Sequence, residues 1–538
     1  MPAQTQTVGL FNSQPGVFPG YTLFSPLIGT DHFLIDNCGQ MVHQWETDFR
    51  VGNSIYLLED GRLLKTAQAN SVNSSITGAG GGERVQILSW EGELLWDYNP
   101  TSERFRPHHD IEPMPNGNVL IIAWEELSLE EATALGRERN FLPEGKLWPE
   151  VILEVRPIGP NEGEIVWEWH QIDHIIQDED PNKPDFGQPR SYPERWDINF
   201  VSQNNFPIGE ADWIHFNSID YSVELDQILL SSQRLSEIYI IDHSTTVQEA
   251  AGHTGGRCGK GGDILYRWGN PEVYGRGEDI NQLLYGQHDA QWIPDGVFGE
   301  GNILVLNNGN GQRPWTTVDE ITPPVLPDGN YEIEPWRAFA PNGPSWTYSA
   351  PNPTDLYSGF VSGSQRLPNG NTLVCAAALG FFFEVDRNGN EVFRYMSPAT
   401  HTGPITQGDS IPPLSFGPSN IMFRAEKYAA DFSGFGGRDL SPKGTIELEP
   451  IPTNCRANLI YPVSALIYPN PAAESLSIEL ENVFGNFAAL RVYNLQGKLV
   501  WQEDSPGSLN TINLSQWESG LYVLRIGEYG WKRFVVHR

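Results

Sequence analysis

The sequence predicts an all-β protein, a six-bladed β-propeller followed by a small C-terminal β-sandwich. Three observations carry this expectation. Gly (54), Pro (41) and Trp (17) are abundant in the 538 residues while long helical periodicity is scarce, a composition that favours many short strands joined by turns. Two hairpin-like units recur along most of the chain. After about Gly436 both units stop and a different alternation begins.

One recurrent unit is a turn feeding a strand that carries Trp or Tyr. It reads "DNCGQMVHQW" (36–45), "WEGELLWDY" (90–98), "NEGEIVWEW" (161–169), "GKGGDILYRW" (259–268) and "DRNGNEVFRY" (386–395). The other is a strand, a Pro-Asn-Gly-like turn and a second strand. Its copies are "SIYLLEDGRLLKT" (54–66), "DIEPMPNGNVLIIAW" (110–124), "SIDYSVELDQILLSS" (218–232), "DAQWIPDGVFGEGNILVL" (289–306) and "SQRLPNGNTLVCAA" (364–377). Two hairpins per repeat make a four-stranded sheet, and such sheets in series make a propeller. The strands around "YTLFSPLIGTDHFLID" (21–36) lack a first hairpin, so they are expected to complete a sixth blade with "NIMFRAEKY" (420–428), closing the ring and removing exposed edges. "EELSLEEATALGRER" (125–139) reads as a short helical insertion, and the Pro-rich 312–352 stretch as an irregular one.

The propeller is assigned to 1–440 and a linker to 441–465, with "SPKGTIELEPIPTNC" at its start. Residues 466–538, with the alternation of "LRVYNLQGKLVWQE" and "GLYVLRIGEYGWKRFVV", read as the sandwich.

With 34 basic and 68 acidic residues the formal charge is −34, which argues against nucleic acid or an anionic membrane as partner. Cys38, Cys258, Cys375 and Cys455 are widely spaced without a CxxC pair. That indicates neither a zinc ribbon nor a dense disulfide framework and leaves room for one or two disulfides. No apolar run reaches the roughly 18 residues of a membrane helix. No secretory signal is visible in "MPAQTQTVGLFNSQPG".

Candidate site residues come from register. Seven residues before the turn residues Asn116, Ser222 and Asp295 stand His109, His215 and His288; the same count from Asp60 and Asn369 reaches Asn53 and Ser362. The first strand of each blade lines a propeller's central channel, so these positions form one ring, polar throughout and histidine in three successive blades. Channels of this kind are often merely polar and wet. Three converging imidazoles could instead bind zinc with an open position, or serve as nucleophile, acid–base partner and oxyanion stabiliser. A wide channel disfavours zinc, which needs all three nitrogens near 2 Å from one point. His170 and His174 have i, i+4 spacing but no third local ligand, which favours a structural role.

The segments "HHDI…PNGNVL", "DWIHFNSIDY", "IIDHSTT…AAGHTGGRCGKGGDILYRWGNP", "GQHDAQWI…GNILVLNNGNGQRP" and "SGSQRLPNGNTLV" resemble the bacterial arylsulfate sulfotransferases across most of 20–430. The resemblance implies a six-bladed propeller that moves a sulfuryl group from a phenolic sulfate ester to another phenol, with no nucleotide donor; no cofactor and no metal are expected. It implies that His288 is the nucleophile of a sulfohistidine intermediate, and that His109, His215 and Asn217 contact the sulfate or the phenolic oxygen. The chemistry agrees: a neutral imidazole is a nucleophile near pH 7 where a hydroxyl needs a strong base, and a departing phenolate benefits from a nearby donor.

One residue departs from the family pattern. The arginine that clamps sulfate oxygens is replaced by Gln233, with Arg234 beside it. Adjacent strand residues face opposite sides, so Arg234 can serve only if a bulge re-aims it; Arg313 or Arg366 are substitutes. This departure supports an alternative, a non-catalytic surface propeller that binds glycans or proteins. A quinone-dependent dehydrogenase is disfavoured by the lack of adjacent cysteines and of a calcium cluster.

Residues 466–538, with "YPNPA", "LRVYNLQGKLV" and "GLYVLRI…KRFVV", resemble the C-terminal sorting domain of type IX secretion. This implies the secretion machinery as a partner, passage through the periplasm to the cell surface or medium, and a true start upstream of Met1. A plain β-sandwich binding module is the competing reading of this segment.

Overall fold

A computed structural model describes residues 5–68, 75–201, 210–452, 455, 465–480, 489–494, 497–503, 509–526 and 530–537. The chain divides into two compact units, residues 1–428 with 433–455, and residues 456–538 with 429–432.

In the first unit the turn chemistry produces the expected hairpins. The Asn-Gly turns place Gly117 and Gly370 at φ 86° and 87°, a backbone that side chains disfavour. Among the described residues six four-stranded sheets result, one of them extended by Gly9–Ser13 as a fifth, outermost strand. Their innermost strands are β1 (Val51–Leu57), β2 (Phe105–Pro113), β3 (Phe216–Ser222), β4 (His288–Trp292), β5 (Gly363–Arg366) and β6 (Met422–Ala429). From β1 to β5 each packs on the next. The amide of Ser362, just before β5, donates to Phe423 O at 2.8 Å, and Lys427 N donates to Gln365 Oε1 at 2.8 Å, joining β5 to β6. Leu57 N donates to the Tyr428 hydroxyl at 2.8 Å and returns the ring to β1. The closing sheet forms as expected, with β6 beside Gly20–Pro26, then Asp31–Ile35 and Met41–Glu46. The first unit is thus an all-β propeller.

The repeated tryptophans occupy the outermost strands, and each indole N–H reaches the following sheet. Trp45 donates to Ser89 O (3.1 Å), Trp96 to Glu162 O (2.9 Å), Trp167 to Thr245 Oγ1 (3.2 Å) and Trp268 to Pro341 O (2.7 Å). All four rings are buried, so a large apolar body packs between blades while its one polar atom is satisfied.

The Pro-rich 312–352 stretch is more regular than its composition suggests. Thr317–Ile321 and Trp346–Ser349 are the third and fourth strands of the β4 sheet. The long excursion between them replaces the tight Gly turn by which the other copies are recognised. The 125–139 insertion contains the helix Leu129–Ala134, started by a reciprocal cap between Ser128 and Glu131. Residues 441–455, expected as linker, lie with the first unit: Thr445 bridges Gln40, Leu448 bridges Thr406, and Cys455 forms a disulfide with Cys38. Cys258 and Cys375 are free and buried.

The second unit holds a three-stranded sheet (Ala465–Tyr468, Ser475–Leu480, Leu509–Asn513) and a four-stranded one (Leu499–Glu503, Leu490–Asn494, Gly520–Ile526, Gly530–Val536). Leu476, Ile478 and Ile512 from the first share one buried core with Leu490, Val492, Leu524 and Phe534 from the second. Alternate residues of each sheet supply this core, which makes a sandwich.

Candidate active site

The ring positions carry an unusual backbone. Pairing slips by a bulge in β1, β2, β3 and β4, between Val51 and Ile55, opposite Ile121 to Ala123, between Phe216 and Ser218, and between His288 and Gln291. At these places His109 (φ 51°), His215 (φ 59°) and Asp289 (φ 58°) are left-handed, as is Ser362 (φ 86°) beside β5. Bulges re-aim side chains, and left-handed non-glycine residues cluster where function holds them.

His109, His215 and His288 are all buried, and the bulges bring them together. The His109 and His215 rings lie edge to face with centroids 4.4 Å apart. Burial holds His109 well below the usual histidine range, and the neighbouring His215, His108 and His288 depress it further. Burial likewise lowers His288 to about 3, with His215 adding to the effect against a supporting hydrogen bond from Asn308. Both are neutral imidazoles.

Hydrogen bonds decide which nitrogen of His288 is free. Asn308 Nδ2 donates to Ser358 O (2.6 Å) and Val361 O (2.9 Å), which turns its Oδ1 toward His288 Nδ1 at 2.8 Å. Gly286 O also faces Nδ1, at 3.1 Å. Two acceptors around Nδ1 place the single hydrogen there and leave Nε2 as a lone pair.

His215 Nδ1 lies 2.5 Å from Asp212 Oδ2. Burial pushes Asp212 upward, but His215 and Arg234 outweigh it and hold the carboxyl at about 2. An ionised carboxylate on one nitrogen supports a proton on the other. His109 Nδ1 meets His108 Nδ1 at 2.8 Å, and His108 Nε2 meets Glu150 Oε2 at 2.9 Å. Burial, with the charge of Asp212, raises Glu150 well above the usual carboxylate range. From the neutral acid each link then has one donor: Glu150 to His108, and His108 Nδ1 to His109 Nδ1, which directs an N–H from His109 Nε2. Trp124 stacks on His108, centroids 3.8 Å apart, and fixes the relay.

Asn217 is buried; its Nδ2 donates to Gln287 O at 2.7 Å, beside His288, while its Oδ1 has no partner. Gln233 and Arg234 lie in the turn that ends Gln227–Ser232, so the alternation of faces in a strand does not govern them. Gln233 leaves a buried Oε1 without a partner. Arg234 reaches Glu210 Oε2 (2.5 Å) and Asp212 Oδ2 (3.4 Å), and so touches the carboxylate behind His215. Arg313 is held by Trp315 O in its own loop and by Thr317 Oγ1 at the start of the next strand, each 2.8 Å away. Arg366 pairs with Glu320 at 2.6 Å. Of the two remaining ring positions, Asn53 donates to Gly80 O at 2.9 Å, and Ser362 shares a 2.8 Å bond with Ser358.

The sequence reading missed Arg424. This buried side chain of β6 bonds Asp289 Oδ1 at 2.6 Å and Asp110 Oδ2, the residues after His288 and His109. Its charge reaches both histidines. Phe423, beside it, has its ring 6.3 Å from that of His109. β6 enters its sheet without a tight hairpin turn, so no turn residue existed from which to count its register.

The family model for Arylsulfotransferase (ASST) matches residues 28–402. That for the secretion system C-terminal sorting domain matches residues 466–536. No curated protein matches the chain. Among solved structures, the chain is similar to a protein of unknown function from Bacteroides caccae, with 12% identity over 70% of this chain and 94% of that one and a TM-score of 0.36. It is also similar to virginiamycin B lyase from Staphylococcus aureus, with 11% identity over 74% and 90% and a TM-score of 0.32.

Proposed function

The chain belongs to the arylsulfotransferase family, and from that premise we propose that it transfers a sulfuryl group from a phenolic sulfate ester to a phenol acceptor through a sulfohistidine at His288 Nε2. The observation that carries this reading is the pair of acceptors on His288 Nδ1, which leaves Nε2 as the nucleophilic lone pair of a buried, neutral ring. In the first step the Nε2–S bond forms and the S–O bond to the phenol breaks. The departing phenolate takes a proton from His215, whose protonated form Asp212 supports. The His109 N–H faces the negative charge spread over the sulfuryl oxygens, and Arg424, paired with Asp289 and Asp110, stands behind it. In the second step an acceptor phenol returns its proton to His215 as its oxygen attacks sulfur, breaking the N–S bond and regenerating His288. One site thus serves donor and acceptor in turn.

Asn217 is proposed as a donor to the sulfate through its remaining amide hydrogen, and Arg234 and Arg313 as anion contacts that must leave or share their present partners. The sorting domain points to secretion; export by the type IX machinery to the cell surface is the proposed route. Incubation with a chromogenic phenyl sulfate and a phenol tests the reading. Phenol release is expected, with His288→Ala reduced to background and a sulfate-sized mass addition on the His288 peptide when acceptor is withheld. Absence of turnover in the wild type at any pH between 5 and 9 overturns it. Gln233 in place of an arginine, its Oε1 without a partner, favours the second reading, a surface propeller that holds sulfated glycans without turnover; glycan binding with no phenol release decides for that.

A further inference from the structure

Outside the inner strands, three side chains from two adjacent sheets converge. His174 ends the short turn Gln171–His174 after Gly163–His170. His253 and Asp263 come from the glycine-rich segment between Glu237–Asp242 and Tyr266–Trp268. His174 Nδ1 and His253 Nδ1 each lie 2.8 Å from the same atom, Asp263 Oδ1. The His174 side chain is fully buried, Asp263 is 6% exposed and His253 is 39% exposed.

The proton count at His174 is the telling feature. Its Nε2 lies 2.8 Å from Ala250 O, a carbonyl that can only accept, so Nε2 carries the hydrogen. A neutral imidazole has no second hydrogen, yet Nδ1 faces a carboxylate oxygen, which when ionised also only accepts. The two atoms then present lone pairs to one another across 2.8 Å. A divalent cation at the shared point resolves the conflict, since it takes the Nδ1 lone pair and the carboxylate together. A ligating histidine whose far nitrogen donates to a carbonyl is the usual outer-shell arrangement of metal sites.

The surroundings hold His174 in this orientation. Trp169 stacks parallel to His174, 3° from coplanar, and donates to Gly262 O at 2.9 Å. A Cβ on Gly262 would fall 2.6 Å from His174 Nε2 and 2.7 Å from Trp169 Nε1, so only glycine permits this approach.

We propose that His174 Nδ1, His253 Nδ1 and the Asp263 carboxylate form a zinc site that clasps the β2 and β3 sheets. Two imidazole nitrogens and one carboxylate oxygen suit zinc, with a fourth position toward the exposed His253 side for water. Bonds of about 2.0–2.1 Å separate tetrahedral ligand atoms by about 3.3 Å. Here all three lie within 4.8 Å of one another, so small rotations, chiefly of His253, close the set. The role is structural, a crosslink between blades, and it stands apart from the sulfuryl chemistry.

The test uses the full chain, stripped by chelator and titrated with Zn²⁺ against a chromophoric competitor and separately with Co²⁺. One equivalent is expected to bind, Co²⁺ to give the intense visible bands of a tetrahedral site, and Tm to rise on Zn²⁺ addition. His253→Ala should weaken Zn²⁺ by more than the roughly 10–100-fold that an outer-shell change costs. It should also abolish the Tm response while keeping the metal-free Tm of the wild type. His253→Gln gives the same readout if the alanine variant folds poorly. Binding well below one equivalent, or unchanged affinity in both variants, overturns the proposal and shows a hydrogen-bonded His–Asp–His cluster instead. None of these readouts depends on sulfotransferase activity.

Discussion

His288 Nδ1 lies 2.8 Å from Asn308 Oδ1, and Asn308 cannot turn its amide around without losing two carbonyl partners, Ser358 O and Val361 O. The pair therefore sets the tautomer of the ring. Replacing Asn308 by Ala leaves Gly286 O as the one remaining acceptor, at 3.1 Å, and lets the ring flip or change tautomer. The expected loss is roughly 10²–10³-fold in kcat, within the range that positioned acid–base groups supply, with KM little changed. Steady-state kinetics on a chromogenic aryl sulfate checks it, and an unchanged kcat removes Asn308 from its positioning role.

The pH response of stability has a definite sign. An unfolded histidine titrates near its ordinary 6.5, whereas His288 is lowered to about 3 and His43 to about 4, each chiefly by burial. Between these values the unfolded chain binds protons that the folded one refuses, so stability falls as pH drops from about 6.5 toward 3. Asp197 and Asp220, each raised to about 6 by burial, act oppositely and withdraw stability as pH rises from about 4 toward 6. Thermal melts of His288→Asn should show a flatter acid-side slope than the wild type; identical slopes would contradict the buried neutral ring.

Gly80 is shaped around His109. Its φ is +82°, and a Cβ there would fall 2.2 Å from His109 Cε1 and Nε2. Its carbonyl also accepts from His109 N at 2.8 Å. Gly80→Ala is expected to displace the imidazole and to destabilise the fold by about 1–3 kcal/mol, the usual cost of a strained left-handed residue. Denaturant melts measure the second effect, and kcat the first; wild-type values for both would refute the assignment.

Gln233 leaves a buried oxygen without a partner where the family resemblance expects an arginine. Gln233→Arg, which adds a charge-assisted contact to a sulfate oxygen, should lower KM for an aryl sulfate about tenfold, in line with 1.5–3 kcal/mol for such bonds. A rise in KM would mean that Arg234 or Arg424 already fills this role.

Much of the architecture was legible because it rests on local chemistry. Asn-Gly turns and alternating apolar residues specify hairpins wherever they occur, and the spacing of the turns carried the register that linked His109, His215 and His288. The strands Thr317–Ile321 and Trp346–Ser349 escaped notice because a long excursion replaces the turn that marks the other copies. The reach of Gln233 and Arg234 is hidden for a related reason. Strand alternation does not govern residues that lie in a turn, where backbone direction changes from one residue to the next.

By itself the sequence determined the hairpin pattern, the strand that closes the ring, the sandwich ending and the shared register of His109, His215 and His288. Only the tertiary structure decided which nitrogen of His288 is free, that Asp212 and Glu150 stand behind His215 and His108, and that Arg424 joins Asp110 to Asp289. It alone brought His174 to His253 and Asp263. The difference is physical. Hairpins and their register are set by neighbours a few residues apart, whereas tautomer, charge and ligand geometry depend on burial and on hydrogen-bond partners from other blades, whose meeting no local spacing encodes.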